Sequence, residues 1–171
     1  MKDEIERLPW LREALLLLRK GDTVSAMGRA RDVKTVEWVN RFLPFSLPWC
    51  GLFVGHCLKK TEPGTRLPFL HMRARPWQDF GEAHEPELGA LLVLWLLDPD
   101  SPLGHVGFYL GEDEECFHVL SGNQHDTILI ERFPKDRLLA CRWPLPQYEP
   151  TGATPRRDPE RAAEFEFGEF I

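Results

Sequence analysis

Residues 48–58 read PWCGLFVGHCL, and this stretch decides the fold. It predicts a helix over residues 49–59 whose apolar side chains cover almost the whole circumference. A helix that is apolar all round is usually a buried one. Ser46 is suited to cap this helix, and Pro48 fits its first turn because proline needs no amide hydrogen there. We therefore expect a central helix with the rest of the chain packed around it.

Two further helices are predicted upstream. Residues 9–20 read PWLREALLLLRK, with a proline suited to the first turn and Gly21 following the basic end as a stop. Residues 33–43 read VKTVEWVNRFL, in which apolar residues recur at helical spacing, and Pro44 ends the run. The N-terminal part of the chain is therefore expected to be helical.

The pattern changes to strands after residues 62–89, which are rich in Pro, Gly, Arg and His and predict loops with one short helix near 77–80. The later runs are short, rich in β-formers and separated by turn residues. Helices followed by a meander of strands predict an α+β fold with an antiparallel sheet. Five strands are expected, at residues 90–97, 105–111, 115–120, 127–133 and 138–144.

The chain of 171 residues predicts one domain, over residues 1–144, followed by an extended tail at 145–171. The tail contains Phe165, Phe167 and Phe170 at alternating positions. Such a stretch is suited to pair with a sheet edge or to dock on a partner.

Charge argues against nucleic-acid and membrane partners, because the net charge is -6 and the basic residues are scattered. The longest apolar run, residues 90–97, is far below the ~20 residues that a membrane span needs. The acidic N-terminus does not match a secretory signal, so we expect synthesis in the cytoplasm. A target outside the cell would then require delivery by a secretion system or by lysis.

Cysteine spacing predicts free thiols rather than a disulfide or a metal site. The four cysteines form no CxxC pair and no zinc-ligand spacing. Cys50 and Cys57, seven residues apart on one helix, would be separated by about 10 Å along its axis, too far for a disulfide. No metal and no cofactor are expected.

Cys50 and His105 are the best candidates for a nucleophile and its base. In the first turn of a helix, free amides and the positive end of the dipole favour the thiolate form of a cysteine. The alternative is a small buried core residue, which is the commoner fate of cysteine. His105 heads a strand, where its side chain can face a cleft, although an ordinary histidine at a strand end fits equally well.

A third group should hold the imidazole in the useful tautomer. A hairpin that turns around Asp113 would place His105 opposite Ser121, and residue 123 would share that face because side chains alternate along strands. Asn123 would then reach the imidazole, while a slip of one residue would put Gln124 there instead. Asn123 is also a good turn residue. Both assignments stay open from the residues alone.

Five stretches carry motifs that resemble known ones in the same order: PWCGLFVGHCL at 48–58, GALLVLWL at 89–96, GHVGFYLG at 104–111, SGNQHDTILI at 121–130 and FPKDRLLACRWP at 133–144. Together they resemble the NlpC-type and CHAP-type peptidoglycan hydrolases, in particular the branch associated with phages and secretion effectors. The similarity spans about residues 9–144. The order of Cys, His and a polar residue, each leading its element, is far more specific than any single motif.

The resemblance implies a papain-like fold in which Cys50 is the nucleophile, His105 the base and Asn123 the orienting residue. It places Trp49, Gly51 and Gln124 around the substrate or the oxyanion. The chain departs from the family pattern in three places. It has Gly89-Ala90 where the family commonly has Gly-Asp, Gly51 after the nucleophile where Ser or Ala is frequent, and His56 where a Trp is common. These departures leave the details of the substrate groove undefined.

The implied activity is cleavage of amide bonds in peptidoglycan stem peptides, as an endopeptidase or an N-acetylmuramoyl-L-alanine amidase. Such an enzyme would act as an antibacterial effector in the periplasm of a target bacterium or as a phage endolysin, and an effector would have a cognate immunity protein as partner. The alternatives are a deamidase, transglutaminase or acyltransferase acting on a protein, and a non-catalytic binding module. The order of Cys, His and Asn argues against the last of these.

Overall fold

The computed structural model describes residues 2–19, 48–124 and 127–148. In these residues the chain is α+β, with helices packed on one antiparallel sheet. The helices are α1 (Lys2–Glu6), α2 (Pro9–Arg19) and α3 (Cys50–Thr61), with 3-10 helices at Arg75–Asp79 and Lys135–Arg137. The strands are β1 (Glu82–Ala83), β2 (Leu91–Trp95), β3 (Gly104–Glu112), β4 (Cys116–Gln124), β5 (Thr127–Pro134) and β6 (Leu138–Trp143).

The predicted helices at 9–20 and 49–59 correspond to α2 and α3. Helix α3 begins one residue later than predicted, because Trp49 is its N-cap, with φ -112° and ψ 12°. The predicted helix at 33–43 and the capping role of Ser46 lie outside the described residues. The short helix expected near 77–80 is the 3-10 turn Arg75–Asp79. Helix α1, which was not expected, has only five residues.

All five predicted strands are present, and a sixth, β1, pairs antiparallel with β6. The order across the sheet is β1-β6-β2-β3-β4-β5. Strand β1 has two residues, too few to show any alternation in the sequence. Strand β4 is longer than predicted, since it continues through Gln124 instead of turning at residues 121–123.

The predicted register of the β3–β4 hairpin, with His105 opposite Ser121, is wrong. Phe108 pairs with Leu120, two residues away from the partner that the predicted register gives it. The physical reason is that the turn is centred between residues 114 and 115 instead of on Asp113, since Glu112 pairs with Phe117. A bulge between Tyr109 and Gly111 inserts an unpaired residue and reduces the displacement from three residues to two. Continued toward the site, the observed register puts residue 123 opposite residue 105. Because the displacement is two residues, each side chain keeps its face of the sheet.

Helix α3 is buried against β3 and β4, and Phe53 meets Phe108 edge-on at a ring-centroid distance of 6.0 Å. The core continues past residue 144, because Leu145 is buried and the indole of Trp143 donates a 2.6 Å hydrogen bond to the carbonyl of Tyr148. The predicted tail beyond residue 148 lies outside the described residues. Within residues 2–19, 48–124 and 127–148, no helix is long and apolar enough to span a membrane.

Candidate active site at the tip of helix α3

The thiol of Cys50 lies where the N-terminus of α3 meets the middle of the sheet. Cys50 is the first residue of the helix and exposes 1% of its surface. Backbone amides of Val106, Gly51 and Cys50 itself donate hydrogen bonds to the sulfur. Val106 follows His105 on β3, so the sulfur lies against the strand that carries the candidate base.

The imidazole of His105 is fixed on two sides. It is buried, and its ring stacks on Phe133 with 5.1 Å between centroids and 18° between planes. Its Nε2 lies 3.1 Å from the amide nitrogen of Gln124. Only a few residues separate Phe133, near the end of β5, from Leu138, at the start of β6. Leu138 pairs with Leu94, and Leu94 also pairs with His105. The end of β5 therefore comes close to the imidazole.

Burial favours the uncharged forms of both reacting groups. It lowers the pKa of His105 from 6.5 to about 4, because a charged imidazolium is poorly solvated there. It likewise raises the pKa of the Cys50 thiol, and the three amides that bond to the sulfur oppose this effect only in part. Both groups are therefore neutral at pH 7.

The two candidates for the orienting group differ in position. Gln124 reaches His105, and its amide nitrogen also lies 3.5 Å from the hydroxyl of Ser121. Asn123 has φ 66°, a left-handed conformation that asparagine tolerates better than most residues, at the irregularity between Ser121 and Gln124. Among the described residues, no hydrogen bond of the Asn123 side chain is found. The geometry thus favours Gln124, the alternative that a slip of one residue predicted.

Trp49 sets the spacing between the helix tip and β4. It is buried, and its six-membered ring packs on Gly122, where an added Cβ would lie 2.7 Å from Cε3 of the indole. The same Cβ would lie 2.8 Å from the Cβ of Phe53. Gly122 therefore permits the close approach that brings Cys50 toward the strand carrying Gln124. The family resemblance places Trp49 around the substrate or the oxyanion but does not predict this contact.

Gly51 is required by a loop that crosses the first turn of α3. A Cβ at this position would collide with the carbonyl oxygen of His71 and lie 2.9 Å from that of Met72. The indole of Trp77 donates a 2.8 Å hydrogen bond to the same His71 carbonyl and holds the loop there. The departure from Ser or Ala after the nucleophile thus has a steric cause.

Arg75 joins this loop to the segment that leads into His105, and the sequence pattern did not single it out. Its Nη2 donates to the carbonyls of Pro99 and Ser101, at 2.9 Å to Pro99, and lies 3.4 Å from the carbonyl of Leu103. Gly104 then follows and begins β3. The guanidinium therefore fixes the entry of the strand that carries the base.

His56, which stands where a Trp is common, is turned toward α2, with its Nε2 3.7 Å from a carboxylate oxygen of Glu13. At the far end of the sheet, Asp113 accepts hydrogen bonds of 2.8 Å from His118 and from Arg132 and caps the β3–β4 turn. No group of three or more His, Cys, Asp or Glu side chains in the described part of the chain is arranged to hold a metal ion.

The sheet thus brings His105 and Gln124 together, and the helix terminus places the sulfur of Cys50 against the strand that carries His105. Chemically, this arrangement suits attack by a sulfur nucleophile on a carbonyl, assisted by a neutral base. No protein-family model and no curated protein sequence matches this chain.

Proposed function

We propose that this protein is a papain-like cysteine hydrolase that cleaves amide bonds in peptidoglycan stem peptides. The observation that carries the proposal is the hydrogen bond from the amide of Val106 to the sulfur of Cys50, which puts the thiol beside the residue that follows His105. The proposal is supported by a cysteine at a helix terminus that lies against the strand of an antiparallel sheet that carries a histidine, as a papain-like hydrolase would require. The substrate class rests on the resemblance of the sequence motifs.

Catalysis begins with transfer of the Cys50 proton to His105. The sulfur then attacks the amide carbonyl, and the backbone amides at the start of α3 stabilise the oxyanion; one such donor is typically worth ~3 kcal/mol in the barrier. His105 passes its proton to the leaving amine as the C–N bond breaks, which leaves a thioester. Water, deprotonated by His105, cleaves the thioester and restores the thiol.

Gln124 supports this cycle by orienting the imidazole. For His105 to act as a base, the nitrogen that faces sulfur must be unprotonated, so Nε2 carries the proton if Nδ1 faces Cys50. The Gln124 amide then presents its oxygen to that N–H, which requires only a 180° rotation about its last bond. No cofactor takes part in these steps.

The biological setting we propose is delivery into the periplasm of a target bacterium, as an antibacterial effector or as an endolysin-like protein. An effector of this kind would require an immunity protein in its producer. A partner that blocks access to Cys50 would inhibit it directly.

The test is digestion of purified peptidoglycan by the wild type, Cys50→Ala and His105→Ala, with mass spectrometry of the products. We expect the wild type to add one water per bond cut, and both variants to be inactive. Products that are peptides free of sugar would identify an amidase, and severed cross-links with intact glycan–peptide bonds an endopeptidase. Unchanged cross-linked fragments, together with modification of a protein glutamine, would refute the proposal in favour of a deamidase or transglutaminase.

A further inference from the structure

The chain carries a local excess of positive charge beside the candidate nucleophile. Residues 59–75 contain five basic residues, Lys59, Lys60, Arg66, Arg73 and Arg75, and one acidic residue, Glu62, whereas the whole chain has a net charge of -6. The basic residues of this segment do not form a continuous basic run in the sequence. The segment returns across α3 after leaving its C-terminus, and this places the charge beside the start of the helix.

The part of the segment next to the thiol is residues 66–73, which we call the basic loop. It passes over the first two turns of α3, since Leu67 lies 2.9 Å from a Cβ placed on Gly55 and the carbonyl of Met72 lies 2.9 Å from one placed on Gly51. Gly51 follows Cys50 directly. The loop therefore covers the helix turn that carries the sulfur.

The basic loop displays side chains to solvent that proteins usually cover. Phe69 is 89% exposed and Leu70 is 50% exposed. Leu70 has φ 59°, a strained conformation for a leucine, and strain of this kind is commonly retained where it has a function. Arg66 and Arg73 flank the pair and are exposed, and neither forms a salt bridge within the described residues.

We infer that the basic loop is the part of the substrate site that binds free carboxylates of the peptide, with Phe69 and Leu70 packed on its aliphatic parts; the inference rests on the proposed function. Arg66 and Arg73 are available for this role because no described carboxylate occupies them. Arg75 is not, since its Nη2 is bound to backbone carbonyls.

In the described part of the chain, no acidic side chain forms a salt bridge with Arg66 or Arg73. Glu62 lies at the end of α3, and Asp98 and Asp100 belong to the next loop, where an Asp98 oxygen accepts hydrogen bonds from the amides of Asp100 and Ser101. An acidic protein would be a different occupant. A stable protein interface buries about 1,200–2,000 Å², however, and two exposed apolar side chains flanked by two arginines suit a peptide chain better.

The test uses the full chain with Arg66→Gln, Arg73→Gln and the double variant, and Arg12→Gln on the exposed face of α2 as the matched control. Substrates are soluble stem peptides with free carboxylates and the same peptides with amidated carboxylates. We expect each arginine substitution to raise KM about two- to fivefold, as the loss of an exposed ion pair does, with kcat within about twofold. The amidated peptides should show the raised KM on the wild type and no further change in the variants.

A second readout separates this inference from the proposed function. In a Cys50→Ala background, sedimentation with insoluble peptidoglycan should fall in the double variant and at high salt, but not in Arg12→Gln. If the wild type fails to cut peptidoglycan, the proposed function fails, while arginine-dependent sedimentation still supports the loop. If KM and sedimentation are both unchanged in the double variant, or if the arginines affect only binding to an acidic protein, the inference is overturned.

Discussion

The amide nitrogen of Gln124 lies 3.1 Å from Nε2 of His105, although the two residues are 19 positions apart on different strands. This contact exists because β4 continues through residue 124. Together with the stacking on Phe133, it leaves the imidazole little freedom to rotate. The orientation of the proposed base therefore depends on two strands besides its own.

Replacing Gln124 by Ala is expected to lower kcat about 10- to 100-fold, because a hydrogen bond to a group that becomes charged in the reaction is worth ~1.5–3 kcal/mol. Asn123→Gly should change kcat much less, and glycine suits the observed φ of 66°. Steady-state hydrolysis of a soluble peptide measures both. A larger loss in Asn123→Gly than in Gln124→Ala would assign the orienting role to Asn123.

Gln124→Glu should move the acid limb of the pH–rate profile. In the wild type, burial lowers the pKa of His105 to about 4, so we expect kcat/KM to hold to about pH 5 and fall below it. A carboxylate beside Nε2 stabilises the imidazolium and should raise that pKa by ~1–2 units. Profiles from pH 3.5 to 8 test this, with Gln124→Ala as the control that removes the amide without adding charge. An unshifted limb would mean that residue 124 does not contact the base.

Folding stability should fall between pH 6.5 and 4 because of His105. Above pH 6.5 the imidazole is neutral in both the folded and the unfolded state. Below pH 6.5 the imidazole of the unfolded chain binds a proton, whereas that of the folded chain is protonated only near pH 4. This difference of about 2.5 pKa units corresponds to ~3 kcal/mol of unfolding free energy lost by pH 4. Urea unfolding at several pH values measures it.

The matched variant for that experiment is His105→Gln, which should show a shallower decline over the same interval. Hydrogen bonds from Arg132 and His118 hold the pKa of Asp113 below its usual 3.8, so its contribution is lost only at lower pH. Equal slopes in the wild type and His105→Gln would show that the imidazole is not buried in the neutral form.

Gly122→Ala tests the contact that sets the distance between helix and sheet. The added methyl group would meet the indole of Trp49 and the Cβ of Phe53, so we expect a loss of ~1–3 kcal/mol in unfolding free energy. Hydrolysis should fall as well, since Trp49 precedes the nucleophile. Gly64→Ala is the control, because its Cβ would meet only a carboxylate oxygen of Glu62 at 3.6 Å. Similar stability in both variants would exclude a tight contact at Gly122.

Much of the architecture follows from local pattern. The apolar circumference of residues 50–58 predicts a buried helix, and α3 is buried against β3 and β4. Alternation and turn residues predict five strands close to their observed limits. The two-residue strand β1 carries no such pattern, and the bulge in β3 depends on packing that a period of two does not encode.

The sequence by itself determined that Cys50 lies in the first turn of a buried helix and that His105 lies at the start of a strand, because hydrophobic periodicity acts over a few residues. Only the tertiary structure decided that Gln124 contacts the imidazole, that Phe133 stacks on it and that the indole of Trp49 packs on Gly122. Each of these contacts depends on strand register and on the approach of distant elements. Such distances are set by the packing of the whole core, which no short stretch of sequence determines.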